Sequence, residues 1–276
     1  MQRILVPCDF SEQAISSFRM ATEFASQSNR EIHLLHVVEL PVLHDSMLMP
    51  TLSFEESLLK ELSDKAEEQF KEIKSQFALD VPLITTVTYG NPPMMILDYI
   101  EKNQIELVVM GTKGASGLRE LLIGSTAEKI VRRSACPVIT VRKYTGLKSI
   151  RNIVFANSLE DDQERLVAGV KGLQHLLSAT VHLVWINTPG NFTADTITMV
   201  KLKDFARRYM LANYTLNVFN DSEEETGVIN FAHMISGDMI AMGTRGRKGI
   251  NHILSGSVTE DVVNHVDCPI WTYRQG

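Results

Sequence analysis

Residues 107–143 read LVVMGTKGASGLRELLIGSTAEKIVRRSACPVITVRK, and residues 239–275 read MIAMGTRGRKGINHILSGSVTEDVVNHVDCPIWTYRQ. The two align without a gap at a separation of 132 positions, placing Gly111 on Gly243, Gly114 on Gly246, Gly124 on Gly256, Ser125 on Ser257 and Pro137 on Pro269. Each opens on an apolar run of strand length, passes through a glycine-rich segment into a helix start, and closes on a second apolar run after Cys-Pro. A repeat this long denotes duplicated domains, not a solenoid. Further upstream, ILVPCDF from Ile4 matches IVFANSL from Ile153, and LHV of the second strand matches VWI, both at an offset of 149. The second copy is therefore 17 residues shorter between its second strand and its glycine motif. The seam falls near 144–148, which predicts domains at 1–146 and 147–276.

Bulk properties fit that division. A chain of 276 residues is comfortable for two α/β domains, and 44% hydrophobic with 22% charged residues is an ordinary globular composition. A net charge of −6 argues against a nucleic-acid partner. The start, MQRILVPCDF, enters a strand directly, with no signal-peptide pattern, and runs such as 107–110 are too short to span a membrane. A cytoplasmic protein with no membrane partner is the expectation. Cys8, Cys136 and Cys268 show neither disulfide nor metal spacing and read as small buried hydrophobes.

Within the first copy, strands are expected at 4–8, 32–38, 83–87, 106–110 and 138–142. Helices are expected from an N-cap at Ser11 to about 28, over 54–77, over 92–103 after Asn91, and over 125–133. Alternating strands and helices, with strands as apolar as LVVM, denote an α/β fold: a doubly wound parallel sheet with helices on both faces. The central strand is the first, and the strand order reverses between it and the fourth. Ligands of such sheets bind at the carboxyl ends of the strands at that reversal, which lies between Cys8-Asp9 and Met110-Gly111. Gly111 and Gly114 let the backbone turn sharply and approach a bulky anion closely. Gly124-Ser125-Thr126 opens a helix whose N–H groups suit phosphate, and Lys113 and Arg119 add positive charge.

The spacing Gly-x2-Gly-x9-Gly-Ser-Thr, together with ILVPCDFS, LLHVVE and CPVITVR, resembles the universal stress protein family over nearly the whole chain, as two tandem domains. The resemblance implies a five-stranded sheet of order 3-2-1-4-5 in each domain, and bound ATP with a divalent cation such as Mg2+. By matching positions, Asp9 and the Val37 backbone lie at the adenosine end, while Met110-Gly111, Gly114 and Gly124-Ser125-Thr126 hold ribose and phosphates. The second copy keeps Gly243, Gly246 and Gly256-Ser257-Val258, and Arg245, Arg247 and Lys248 make its loop more cationic. Ser158 stands where Asp9 is expected, and Asp221-Ser222-Glu223-Glu224 replaces Tyr89-Gly90-Asn91-Pro92. That acidic run reads as a solvated helix start, and occupancy of the second site stays open. Family dimers pair through the last strand, which predicts an intramolecular pseudo-dimer joined by 138–142 and 270–274, and leaves room for a homodimer.

Other chemistries lack their residues. There is no P-loop, no Gly-x-Ser-x-Gly elbow and no Ser-Gly-Gly-x-Asp-Ser loop after the first strand. The eight histidines show no metal spacing; His33 and His36 point to opposite faces of one strand and read as structural. Glu128 and Glu260 favour their helix starts, and no general base is organised beside a γ-phosphate, so any hydrolysis is expected to be slow. Three functions remain: an ATP-dependent regulator, a slow ATPase or phosphotransferase, and a scaffold that has lost its ligand. The first is favoured.

Overall fold

The computed structural model describes residues 3–28, 30–39, 52–77, 80–112, 124–245, 262 and 266–275. The first copy runs β1 (Arg3–Pro7), α1 (Glu12–Ser28), β2 (Glu31–Val38), α2 (Leu52–Gln76), β3 (Leu83–Tyr89), α3 (Pro92–Lys102), β4 (Leu107–Gly111), α4 (Ser125–Arg133) and β5 (Val138–Val141). A 3-10 turn at Leu147–Ser149 leads into β6 (Asn152–Ala156), α5 (Glu164–Leu177), β7 (Thr180–Asn187), α6 (Asp195–Arg208), β8 (Tyr214–Asn220), α7 (Glu224–Met234), β9 (Met239–Arg245) and β10 (Ile270–Gln275).

Local chemistry accounts for the element ends. Ser11 Oγ accepts from the N–H of Ala14 at 3.2 Å, capping α1. Asn91 Oδ1 accepts from Met94 N at 3.4 Å, with proline entering the first turn of α3. Gly90, at φ 134°, supplies the left-handed backbone that links β3 to that cap. The α2 helix is long where its counterpart α6 is short, which absorbs most of the length difference between the copies.

All ten strands form one sheet, ordered β3-β2-β1-β4-β5-β10-β9-β6-β7-β8. Each half therefore has the order 3-2-1-4-5, entirely parallel, as expected from the sequence. The halves meet where β10 pairs antiparallel with β5, with Ile139 opposite Trp271, Thr140 opposite Ile270 and Val138 opposite Thr272. Ile139 and Trp271 are equivalent positions of the two copies, so a pseudo-two-fold axis passes between them. The threonines obey it: Thr140 Oγ1 donates to Ile270 O at 3.5 Å, and Thr272 Oγ1 to Val138 O at 3.2 Å.

The two faces of the sheet differ. On one, a single apolar core runs from Phe18 and Phe24 of α1 through Leu147 and Ile150 to Val170 and Leu173 of α5 and Trp271 of β10. On the other, each copy has its own core, built on Ile96, Ile100 and Ile130 in the first and on Val228, Phe231 and Val262 in the second. Fusion of the copies is thus by strand pairing within the sheet and by shared apolar packing on one of its faces.

Candidate functional site

In the first copy the switch point lies between the ends of β1 and β4. Pro7 is the last residue of β1 paired with β2, and Cys8 N donates to Leu35 O at 2.8 Å. Peptide groups alternate direction along a strand, so Val37 faces the same side as Leu35, but beyond the end of β1. The Cys8 carbonyl is held by the ring Nδ1 of His36 at 2.8 Å, and Phe10, at φ 64°, packs against that ring in a tilted contact, centroids 4.6 Å apart. The chain is thereby bent off the sheet at Asp9. Asp9 Oδ1 accepts from Ser11 N at 3.1 Å and Ser11 Oγ at 2.6 Å, which fixes the carboxylate beside the first turn of α1.

On the β4 side, Gly111 is the last residue paired with β5, opposite Val141. Thr112 follows, buried at 5% exposure; its hydroxyl donates to Gln13 Oε1 at 3.1 Å and its carbonyl accepts from Gly124 N at 2.7 Å. That last bond closes the chain between 112 and 124 and delivers the start of α4 to the strand end. Gly124 sits in extended backbone (φ −63°, ψ 143°), and no side chain caps the helix. Its first-turn N–H groups, at Ser125 and Thr126, form an uncapped positive end. Glu128, in that turn, pairs with Arg132 at 3.7 Å.

Asp9, Val37, Met110, Gly111, Gly124, Ser125 and Thr126 therefore lie at the carboxyl ends of the neighbouring strands β1, β2 and β4 and at the start of α4, with Met110 buried in the core beneath. Gly114, Lys113 and Arg119 lie outside the described residues, as do Gly246, Gly256, Ser257, Val258, Arg247, Lys248 and Glu260. Gly243 is in β9, opposite Tyr273. Sequence reasoning missed Gln13 and Thr112. The signal was present, since Thr112 recurs as Thr244 inside the repeated motif.

The second copy differs in detail. Asn157, at the position of Cys8, accepts from Leu159 N at 2.6 Å and donates to Gln163 Oε1 at 2.5 Å, so the turn that Asp9 makes is taken one residue earlier, and Ser158 carries no carboxylate. Trp185 replaces His36, and Thr244 Oγ1, unlike Thr112 Oγ1, is buried without a hydrogen-bond partner among the described residues.

The histidines hold structure: His33 bonds Tyr99 Oη at 2.9 Å on the α3 face, opposite His36. Burial pushes the Cys8 thiol up to about 12, Cys136 to about 11 and Cys268 to about 12, so all three are protonated and unreactive near neutrality. Among the described residues no group of three or more His, Cys, Asp or Glu stands ready to hold a metal ion, and no helix is long and apolar enough to cross a membrane.

Comparison with known proteins agrees with the duplicated fold. Universal stress protein MJ0531 of Methanocaldococcus jannaschii is 28% identical over 142 residues, covering 51% of this chain and 82% of that protein. Universal stress protein Slr1230 of Synechocystis sp. is 23% identical over 295 residues, covering 99% of this chain and all of its own length (100%). The crystal structure of a universal stress protein from Archaeoglobus fulgidus superposes with a TM-score of 0.78 at 20% identity, covering 99% of this chain and 98% of the other. The model of the universal stress protein family matches twice, at residues 1–142 and 150–274. The chain belongs to the universal stress protein family, as a tandem of two of its domains.

Proposed function

We propose that the first domain, 1–146, binds ATP, and that its occupancy biases the conformation of the tandem or its affinity for a partner in a stress response. One observation carries the reading: a carboxylate (Asp9), two half-buried strand-end residues (Val37 and Gly111) and an uncapped helix start (Gly124–Thr126) all belong to the elements that meet at the topological switch point. Uncapped N–H groups and the helix dipole favour phosphate, and the Asp9 carboxylate suits sugar hydroxyls or a cation. A divalent cation such as Mg2+ takes most of its ligands from phosphate oxygens and water, with Asp9 as the protein group within reach of the same crevice. The Thr112–Gln13 bond ties the phosphate end to α1, so occupancy is felt by that helix. Glu128 is engaged with Arg132, and the reading adopted is binding without organised hydrolysis.

The test is the identity and amount of nucleotide released when purified protein is denatured, followed by equilibrium dialysis with ATP. Gly124→Val is expected to keep its circular dichroism spectrum and weaken ATP binding at least tenfold, because a branched side chain there fills the space a phosphate needs. Unchanged affinity in the folded variant, or no binding by the parent chain, refutes the reading. Turnover well above background would replace the regulator with an ATPase.

A further inference from the structure

The second copy has the same strand order and the same glycines, yet the end of β7 is built differently from the end of β2. Asn187 stands where the first copy has Val38; both carbonyls accept the corresponding bond from the next strand's turn, Gly90 N to Val38 O and Asp221 N to Asn187 O, each at 3.0 Å. Val38 offers only an apolar side chain there. Asn187, 2% exposed, has its amide fully engaged: Oδ1 accepts from Thr193 N at 2.9 Å, and Nδ2 donates to Thr193 O at 3.1 Å and Asn220 Oδ1 at 2.9 Å. The two bonds to Thr193 fold the 188–194 segment back onto the strand end. A second asparagine braces that segment from within. Asn191 Oδ1 accepts from Thr188 N at 2.7 Å and Thr188 Oγ1 at 3.0 Å, and Asn191 Nδ2 donates to Glu224 at 2.8 Å. The loop is thus tied to β7 at one end and to the first turn of α7 at the other.

The wall behind it has also moved in. Ile186, the counterpart of Val37, is 8% exposed, and a Cβ built on Gly227 of α7 would lie 2.4 Å from its Cγ2. The glycine lets α7 press on the strand at the level where the first copy offers Val37. Asp221 replaces Gly90, and its carboxylate is held by Ser222 N at 2.7 Å and Asn230 Nδ2 at 2.8 Å. The bond from Asn230, ahead of the others, holds its carboxyl below the usual carboxylate range, so it stays ionised and unfavourable to an anion.

We propose that the second copy has converted its nucleoside end into an internal brace, closed by residues 188–194, so that the chain takes up one ATP and takes it in the first copy. The inference rests on the ATP reading of the first copy. The Asn187 and Asn191 amides, with the Thr188 and Thr193 groups they bond, are consumed by the chain itself at that strand end, and displacing the segment would break both sets of bonds together.

Equilibrium dialysis of the intact chain with ATP, beside amide hydrogen exchange with and without ATP, tests it. The expected result is one ATP per chain, binding lost in Gly124→Val (or Asp9→Ala, should the first fail to fold), and exchange at residues 188–194 that ATP leaves unchanged. Asn187→Val with Asn191→Ala is expected to speed exchange across 188–194 at least tenfold. Two ATP per chain, one ATP retained by the first-copy variants, or ATP-dependent protection of 188–194 overturns the proposal, as does exchange of 188–194 unaltered by the double substitution. No binding by the parent chain, with 188–194 protected, refutes the ATP reading of the first copy while agreeing with a closed second one.

Discussion

Glu23 joins the first copy to the seam. Its Oε1 accepts from Tyr144 Oη, its Oε2 accepts from Leu147 N at 2.8 Å, and the Arg19 guanidinium lies 4.3 Å from the centre of the Tyr144 ring. The same helix carries Gln13 at its other end, against Thr112 of the candidate site. Glu23→Ala leaves the Leu147 N–H and the phenol to water, and a loss of about 1–3 kcal/mol is expected, at the low end because both side chains are partly exposed. Urea denaturation at neutral pH measures it; an unchanged midpoint would show that the seam is held by Leu147 and Ile150 alone. Burial, then the bond and charge of Glu23, hold the Tyr144 phenol above its ordinary value, with Arg19 opposing. A raised folded value favours the protonated phenol, so its contribution is complete below the ordinary value of about 10 and fades as pH rises through the higher folded one. The parent chain should therefore lose more stability on that alkaline rise than Tyr144→Phe does.

At the scale of elements, α5 lies closer to the sheet than its sequence announces. A Cβ on Gly169 would come within 2.6 Å of the Trp271 ring, whereas Met20 stands at the equivalent position of α1. Gly169→Ala is expected to cost about 1–3 kcal/mol by overpacking, and to cost little in a Trp271→Phe background, where the ring is smaller. A double-mutant cycle in urea gives the coupling; additive costs would mean that the helix shifts to accommodate the methyl. Contacts of this kind explain what could be read from the chain and what could not. The start of α4 was legible because Gly124-Ser125 is a local signal, and the order 3-2-1-4-5 followed from the repeat and the family resemblance. The β5–β10 pairing was legible too, from the edge through which family dimers pair, supported by two apolar runs after Cys-Pro that each needed a partner. Partners remote in sequence were not: nothing near Gly169 names Trp271, nothing near Thr112 names Gln13, and the asparagines at 187 and 191 look like ordinary loop residues. Periodicity reports which face is buried, while the identity of the group across the gap is decided by chain folding.

The whole molecule is held by an edge that is complementary to itself. Because the pseudo-two-fold sets Ile139 against its own equivalent, Trp271, a β5 strand meets in β10 the geometry it would meet in a second β5. In the intact chain these edges satisfy each other, and the sheet ends instead at β3 and β8. Cutting the tandem at the seam uncovers β5, whose four residues, VITV, are buried in the intact fold, together with its row of unpaired backbone groups. An edge of that composition associates, and a closed two-fold pair satisfies the β5 edges of both copies at once, leaving only the β3 edges that the intact sheet also has. The half 1–146 is therefore expected to dimerise through β5, with Ile139 opposite Ile139, and to exchange into a one-to-one complex when the half 147–276 is added. The mixed complex should win, because only it rejoins the core shared across the seam through Leu147 and Ile150 and the bond from Leu147 N to Glu23. Sedimentation equilibrium of each half and of the mixture decides the matter. A folded 1–146 half that stays monomeric at micromolar concentration would show that pairing requires the covalent link, and a homodimer that ignores the second half would show that the copies have not diverged enough to prefer each other.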